Sequence, residues 1–163
     1  RILEVGCGTG AMTRALARST DFSGKATGVD QSAHFIDAAR QFAQDESVAQ
    51  QVDFLVGDAH SLDFPDGTFD AVFAHTLISH VTDPKAVLRE MVRMLRPGGT
   101  LVVGNYDLGN PTRHYMAFWM DWVLYLRSEA DLLALAEGLE GGRASVSRDS
   151  TGAQLFLRLE RGG

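Results

Sequence analysis

The chain has 163 residues, 45% hydrophobic and 22% charged, the composition of one ordinary globular domain. Its net charge of −6 argues against a nucleic-acid partner, and no apolar run approaches the roughly 18 residues needed to span a bilayer. A single cysteine, Cys7, excludes an internal disulfide and a Cys-rich zinc site, and fits a reducing, cytoplasmic setting.

Ile2, Leu3 and Val5 read as a short buried strand running into a glycine-rich turn, LEVGCGTG over residues 3–10. Residues 10–19 follow as a helix with Met12, Ala15 and Leu16 on its apolar face. A second strand over 25–30 ends in Asp30, and Ser32 caps a helix over 33–45 with Phe35, Ile36, Ala39, Phe42 and Ala43 at helical spacing. Residues 52–56 form a third strand, and a loop closed by Pro65-Asp66-Gly67 leads to a fourth over 69–74. Asp83 and Pro84 open a helix whose apolar face is Ala86, Val87, Met91, Met94 and Leu95. Pro97-Gly98-Gly99 ends it, and 101–106 form a fifth strand. The aromatic stretch 112–127 is helical in pattern, and Ser128 caps a further helix to about Leu139. Residues 144–148 and 154–160 alternate as an antiparallel hairpin joined by Asp149-Ser150-Thr151-Gly152. The alternation of strand and helix predicts an α/β, Rossmann-like, doubly wound and mostly parallel sheet of about seven strands.

The glycine turn sits where such sheets bind ligands, at the carboxyl ends of the strands. Two patterns fit it. Gly6-x-Gly8-x-x-Ala11 matches a dinucleotide fingerprint, as in an NAD-dependent oxidoreductase, whereas Glu4-x-Gly6-x-Gly8-x-Gly10 fits another nucleoside cofactor. Asp30, roughly twenty residues on, suits the hydroxyls of a ribose in either case. Glu4 separates the two. A carboxylate inside the strand suits a cofactor with a cationic end, not a pyrophosphate, which prefers backbone N–H groups. Asp58, after the third strand, can accept the exocyclic amine of an adenine.

With these residues in place, the chain resembles the class I S-adenosylmethionine-dependent methyltransferases, especially the small-molecule branch of ubiquinone and menaquinone biosynthesis. The matching stretches are LEVGCGTG (3–10), GVD (28–30), GDAHSLDFPDGTFDAVFA (57–74), HVTDP (80–84) and EMVRMLRPGGTLVV (90–103). The resemblance implies that Glu4, Gly6, Cys7, Gly8 and Gly10 surround the methionine part of S-adenosyl-L-methionine, Cys7 through its backbone alone. It places Asp30 on the ribose, Gln31 against the adenine, Asp58 and Ala59 at the adenine amine, and His75 beside the reactive methyl. It also implies one or two helices before the first strand. Residues 1–163 contain none, so the chain as it stands is expected to be impaired.

Methyl transfer from a sulfonium is an in-line displacement, and the protein's task is to orient the acceptor and exclude water. No catalytic triad is needed. His80 is the candidate base on the acceptor rim, with packing on its loop as the alternative role. Tyr106 and the aromatic residues Tyr115 and Trp119 are candidates for contact with an apolar or aromatic small-molecule acceptor. Residues 108–140 then form a helical insert that acts as a lid, or pack on the sheet or a partner subunit, with a homodimer as one outcome. Phe-Ala-His-Thr at the end of the fourth strand has no carboxylate for a catechol-type metal site, so no metal is expected. The remaining alternatives are a non-catalytic, methyltransferase-like subunit that binds a partner, and a nucleic-acid or protein methyltransferase.

Overall fold

In the computed structural model, which describes residues 1–162, strand and helix alternate through the first two thirds of the chain as the sequence predicts. The order is β1 (Ile2–Val5), α1 (Ala11–Arg18), β2 (Ala26–Asp30), α2 (Ala33–Asp45), β3 (Val52–Val56), β4 (Phe69–His75), α3 (Pro84–Met94) and β5 (Leu95–Tyr106). Then come α4 (Arg113–Trp119), α5 (Glu129–Ala136), β6 (Ser145–Arg148) and β7 (Gln154–Glu160). The seven strands form one sheet in the order β3-β2-β1-β4-β5-β7-β6. Pairings are parallel except for β5–β7 and β6–β7, the expected antiparallel edge. The order reverses between β1 and β4, which places the switch point beside the glycine turn. Among the described residues, no helix is long and apolar enough to cross a membrane.

Two cores lie on opposite faces of the sheet. The larger packs Leu3, Val72, Leu101, Val103, Leu155 and Leu157 against Leu88 and Met91 of α3 and Leu132 of α5. The smaller holds Cys7, Ala26 and Phe54 against Ile36, Ala39 and Ala43 of α2. Ser32 caps α2 by accepting from Phe35 N–H, and Asp83 caps α3 by accepting from Ala86 N–H, both as the sequence predicts. On α2, Phe35 and Phe42 stay largely exposed, so only Ile36, Ala39 and Ala43 of the expected face are buried.

Three expectations need correction. Strand β5 starts at Leu95, so Pro97-Gly98-Gly99 lies inside it, while α3 ends at Met94. The pairing of Phe69 with Leu95, and the bond from Gly98 N–H to the Arg161 carbonyl, hold this irregular first half against its neighbours. Helix α4 ends at Trp119, not at residue 127. Asp121 turns the chain at φ 49°, and residues 121–127 cross the end of β5, where Arg127 N–H donates to the Tyr106 carbonyl. Third, the buried side of α1 is Thr13, Arg14 and Ala17. Thr13 is held by Glu4 and Arg14 by Glu46, so the apolar stripe of Met12, Ala15 and Leu16 turns outward. With Ile2, Ala71, Phe73 and Val102 it lines an open apolar trough of about 490 Å³.

Helix α5 has a reciprocal capping box, in which Ser128 and Asp131 each accept from the other's backbone. Its Leu132 and Ala136, with Leu139 just beyond, lie in the main core, so this part of residues 108–140 packs on the body of the domain.

Candidate active site

A cavity of about 240 Å³ opens at the carboxyl ends of β1, β2 and β4, beside the loop that follows β3. Gly6 forms part of its floor, Asp30 and Gln31 one wall, and Gly57, Asp58, Ala59 and His60 another. Leu77, His80, Val81 and Thr82 complete it from the short turn after β4. The cavity therefore gathers Gly6, Asp30, Gln31, Asp58, Ala59 and His80 from the sequence candidates. It leaves Glu4, Cys7, Gly8, Gly10 and His75 outside its lining.

Residues in the lining and just behind it hold the glycine turn in place. Gly6 has φ 73°, and a Cβ there would sit 2.8 Å from Leu77 Cδ1, so only glycine lets the turn after β4 close over β1. Asp30 binds the turn to β2: Oδ2 accepts from Gly8 N–H at 2.9 Å and Oδ1 from Ser32 N–H at 2.9 Å. These bonds leave lone pairs on both oxygens for further donors. Gly10 is the left-handed cap of α1, and its N–H donates to the Cys7 carbonyl at 2.8 Å. Cys7 packs in the smaller core, where burial pushes its thiol far up, away from the thiolate form a nucleophile needs.

Glu4 is 4% exposed and accepts from both the backbone and the hydroxyl of Thr13. Burial nevertheless pushes its carboxyl up to about 7, against the opposing pull of Thr13 and Arg14. Asp58 is the opposite case. It accepts from His60 N–H at 2.9 Å and from His60 Nδ1 at 3.0 Å, and these bonds hold its carboxyl below the usual range. His60, in the loop after β3 and two residues beyond Asp58, lines the cavity as well. The other face of the cavity is weakly polar, with exposed His80 on the rim.

His75 ends β4 with its ring on the face of the sheet away from α3, where Nε2 lies 2.7 Å from Gln154 Oε1. Tyr106 packs edge-on to His75, with ring centres 6.5 Å apart, and to Trp122 at 5.8 Å. Tyr115 and Trp119 are 59% and 78% exposed, so they project into solvent instead of touching the cavity. Three further residues went unread in the sequence. The Ser79 hydroxyl lies 2.8 Å from Asn105 Oδ1 and 3.1 Å from the Tyr125 carbonyl, and Arg127 donates to Asn105 Oδ1 at 3.0 Å. This buried polar cluster ties the aromatic segment to the turn that carries His80. Among the described residues, no group of three potential ligands is arranged to hold a metal ion.

A methyltransferase domain family matches residues 3–103. The chain is 36% identical over 116 residues to a sterol 24-C-methyltransferase of Neurospora crassa, covering 68% of this chain and 30% of that protein. It is 33% identical over 118 residues to a 2-methyl-6-phytyl-1,4-hydroquinone methyltransferase of Synechocystis, covering 72% and 36%. It thus spans about a third of the length of these relatives. In three dimensions it overlays on the YcgJ protein of Bacillus subtilis with a TM-score of 0.80 at 17% identity, covering all of this chain and 92% of that one. It overlays equally well, at 0.80 and 22% identity, on the [4+2]-cyclase SpnF, covering 99% and 75%. The shared fold alone therefore does not fix the chemistry. The family match and the two curated relatives do fix the lineage: the chain belongs to the class I S-adenosylmethionine-dependent methyltransferase family.

Proposed function

We propose that this chain is the cofactor-binding domain of an enzyme that methylates a small molecule, with S-adenosyl-L-methionine as donor and S-adenosyl-L-homocysteine as product. The observation that carries the reading is the pair Asp30 and Asp58 on two walls of one cavity floored by Gly6. A carboxylate at each place, over a backbone open to close approach, suits a ribose and an adenine amine. The cofactor would supply the activated methyl group. Asp30 would hold the ribose, Gln31 and Ala59 would flank the base, and Asp58 would accept from its amine. Glu4 would set the turn around the methionine end, and His80 would face the acceptor. The aromatic segment before Ser128 would cover an apolar acceptor.

Calorimetric titration with S-adenosyl-L-homocysteine and with NADH tests the cofactor. Binding of the first is expected, and binding of NADH alone would overturn the reading. A labelled-methyl assay over a panel of small acceptors separates an enzyme from a subunit that only binds.

Glu4 adds a pH signature. Its folded value, about 7, lies above the 4.5 of an unperturbed carboxyl, so the folded chain holds the proton more tightly. Stability is then expected to fall as pH rises from about 4.5 to about 7, by up to about 3 kcal/mol, and to level off above. A cationic ligand end favours the carboxylate, so affinity for S-adenosyl-L-homocysteine should rise over the upper part of that window. Urea unfolding and calorimetry across pH 5–8 check both slopes, and Glu4→Gln should flatten them.

A further inference from the structure

We infer that His60 is a positioning residue for the cofactor base: its ring holds one oxygen of Asp58, so that the other selects a base bearing an amine over the same base bearing a carbonyl. The inference rests on the methyl-transfer reading and adds base selectivity to it. The loop after β3 fixes where Asp58 stands. Gly57 N–H donates to the Asp30 carbonyl at 3.0 Å, Ser61 N–H to the Asp58 carbonyl at 3.0 Å, and Leu62 N–H to Glu90 Oε2 at 3.1 Å. The Asp58 side chain is nevertheless 67% exposed, so its carboxylate is free to turn unless something holds it. His60 holds it twice on one oxygen: its N–H donates to Oδ1 at 2.9 Å, and its Nδ1 lies 3.0 Å from the same Oδ1. Both bonds fall on Oδ1, which leaves Oδ2 for a further donor.

The rest of the His60 ring says that this bond is what the imidazole supplies. The Asp58 carboxylate only accepts, so Nδ1 carries the proton and Nε2 presents a bare lone pair. Nε2 is shut off from solvent and has no hydrogen-bond partner among the described residues. A buried lone pair without a donor is unfavourable, and an apolar side chain would fill the same space without that cost. What the imidazole adds over an apolar side chain is Nδ1 on Asp58. Both residues line the cavity whose other wall carries Asp30. An adenine amine can donate to a held Oδ2 without the carboxylate losing freedom on binding. A carbonyl at the same place would face a carboxylate that cannot turn away, two acceptors with no proton between them.

The test titrates S-adenosyl-L-homocysteine and its deaminated analogue, S-inosyl-L-homocysteine, into the full chain and reads the ratio of the two affinities. Wild type is expected to prefer the adenosyl ligand by about 100-fold or more. In His60→Asn the side-chain amide N–H stands where Nδ1–H stood, so the ratio should stay within about threefold of wild type. His60→Gln carries its amide toward the place of Nε2, which has no partner. Its ratio should fall about tenfold, with the adenosyl ligand weakened and the inosyl ligand spared. A loop that merely loosened would weaken both ligands alike and leave the ratio unchanged. An unchanged ratio in His60→Gln, an equal loss in the two variants, or equal binding of the two ligands by wild type would overturn the inference. Failure of wild type to bind S-adenosyl-L-homocysteine would instead sink the methyl-transfer reading itself.

Discussion

Replacement of Asp30 by alanine is expected to weaken S-adenosyl-L-homocysteine binding by about 10²–10⁴-fold in calorimetric titration. The carboxylate would make two charge-assisted bonds to the ribose, each worth about 1.5–3 kcal/mol, and together these give that range. The same oxygens accept from Gly8 and Ser32, so the variant also loosens the glycine turn from β2. Asp30→Asn separates the two contributions. It keeps one acceptor oxygen and the shape but loses the charge, so its loss should fall between wild type and alanine. A change of less than about fivefold in Asp30→Ala would remove Asp30 from the site.

Gly10→Ala is expected to lower the stability of the fold by roughly 2–5 kcal/mol. About 1–2 kcal/mol comes from the left-handed backbone, at φ 75°, and about 1–3 from overpacking, since the new methyl would overlap the Phe54 ring. That is a large part of the roughly 5–15 kcal/mol that a domain has in total. Gly8→Ala is the matched comparison. Its φ is 53° but a Cβ there meets nothing within 4 Å, so only the backbone cost applies. Urea midpoints of the two variants should differ with the slope unchanged. Equal midpoints would mean that Phe54 yields freely and that the small core is softer than its packing implies.

The parts of the fold legible in the sequence are those decided over a few residues. The glycine turn, the caps at Ser32, Asp83 and Ser128, and the alternation in β7 each carry their own local signal, and each appears where expected. The aromatic segment was not legible beyond Trp119 for a physical reason. Its pattern stays helical, but its backbone is captured from afar by Ser79, Asn105 and Tyr106. No local propensity encodes those partners. The apolar stripe of α1 was read correctly as a stripe, yet nothing in its periodicity says which surface it faces.

The site divides the same way. Asp30 and Asp58 were readable because strand ends place them, and a strand end is a local event. The direction of the His75 ring was not, because it depends on Gln154, 79 residues away, and on a missing side chain at Gly104 between them. His80 lines the cavity, but Tyr115 and Trp119 project away from it.

The unequal cores on the two faces of the sheet have a consequence for how the domain opens. The side that carries the glycine turn is held by Cys7, Ala17, Ala26, Ala39 and Ala43, with Ile36 and Phe54 as its main bulk. The other side is held by leucines, methionines and valines from two helices and five strands. Amide protons of α1 and α2 should therefore exchange with solvent through local openings well below the global unfolding free energy, whereas those of β4, β5 and β7 should wait for it. Asp30 belongs to the looser half and His80 to the firmer one, so a cofactor bridging them would act as a clasp, lending the glycine-turn half the persistence of its neighbour.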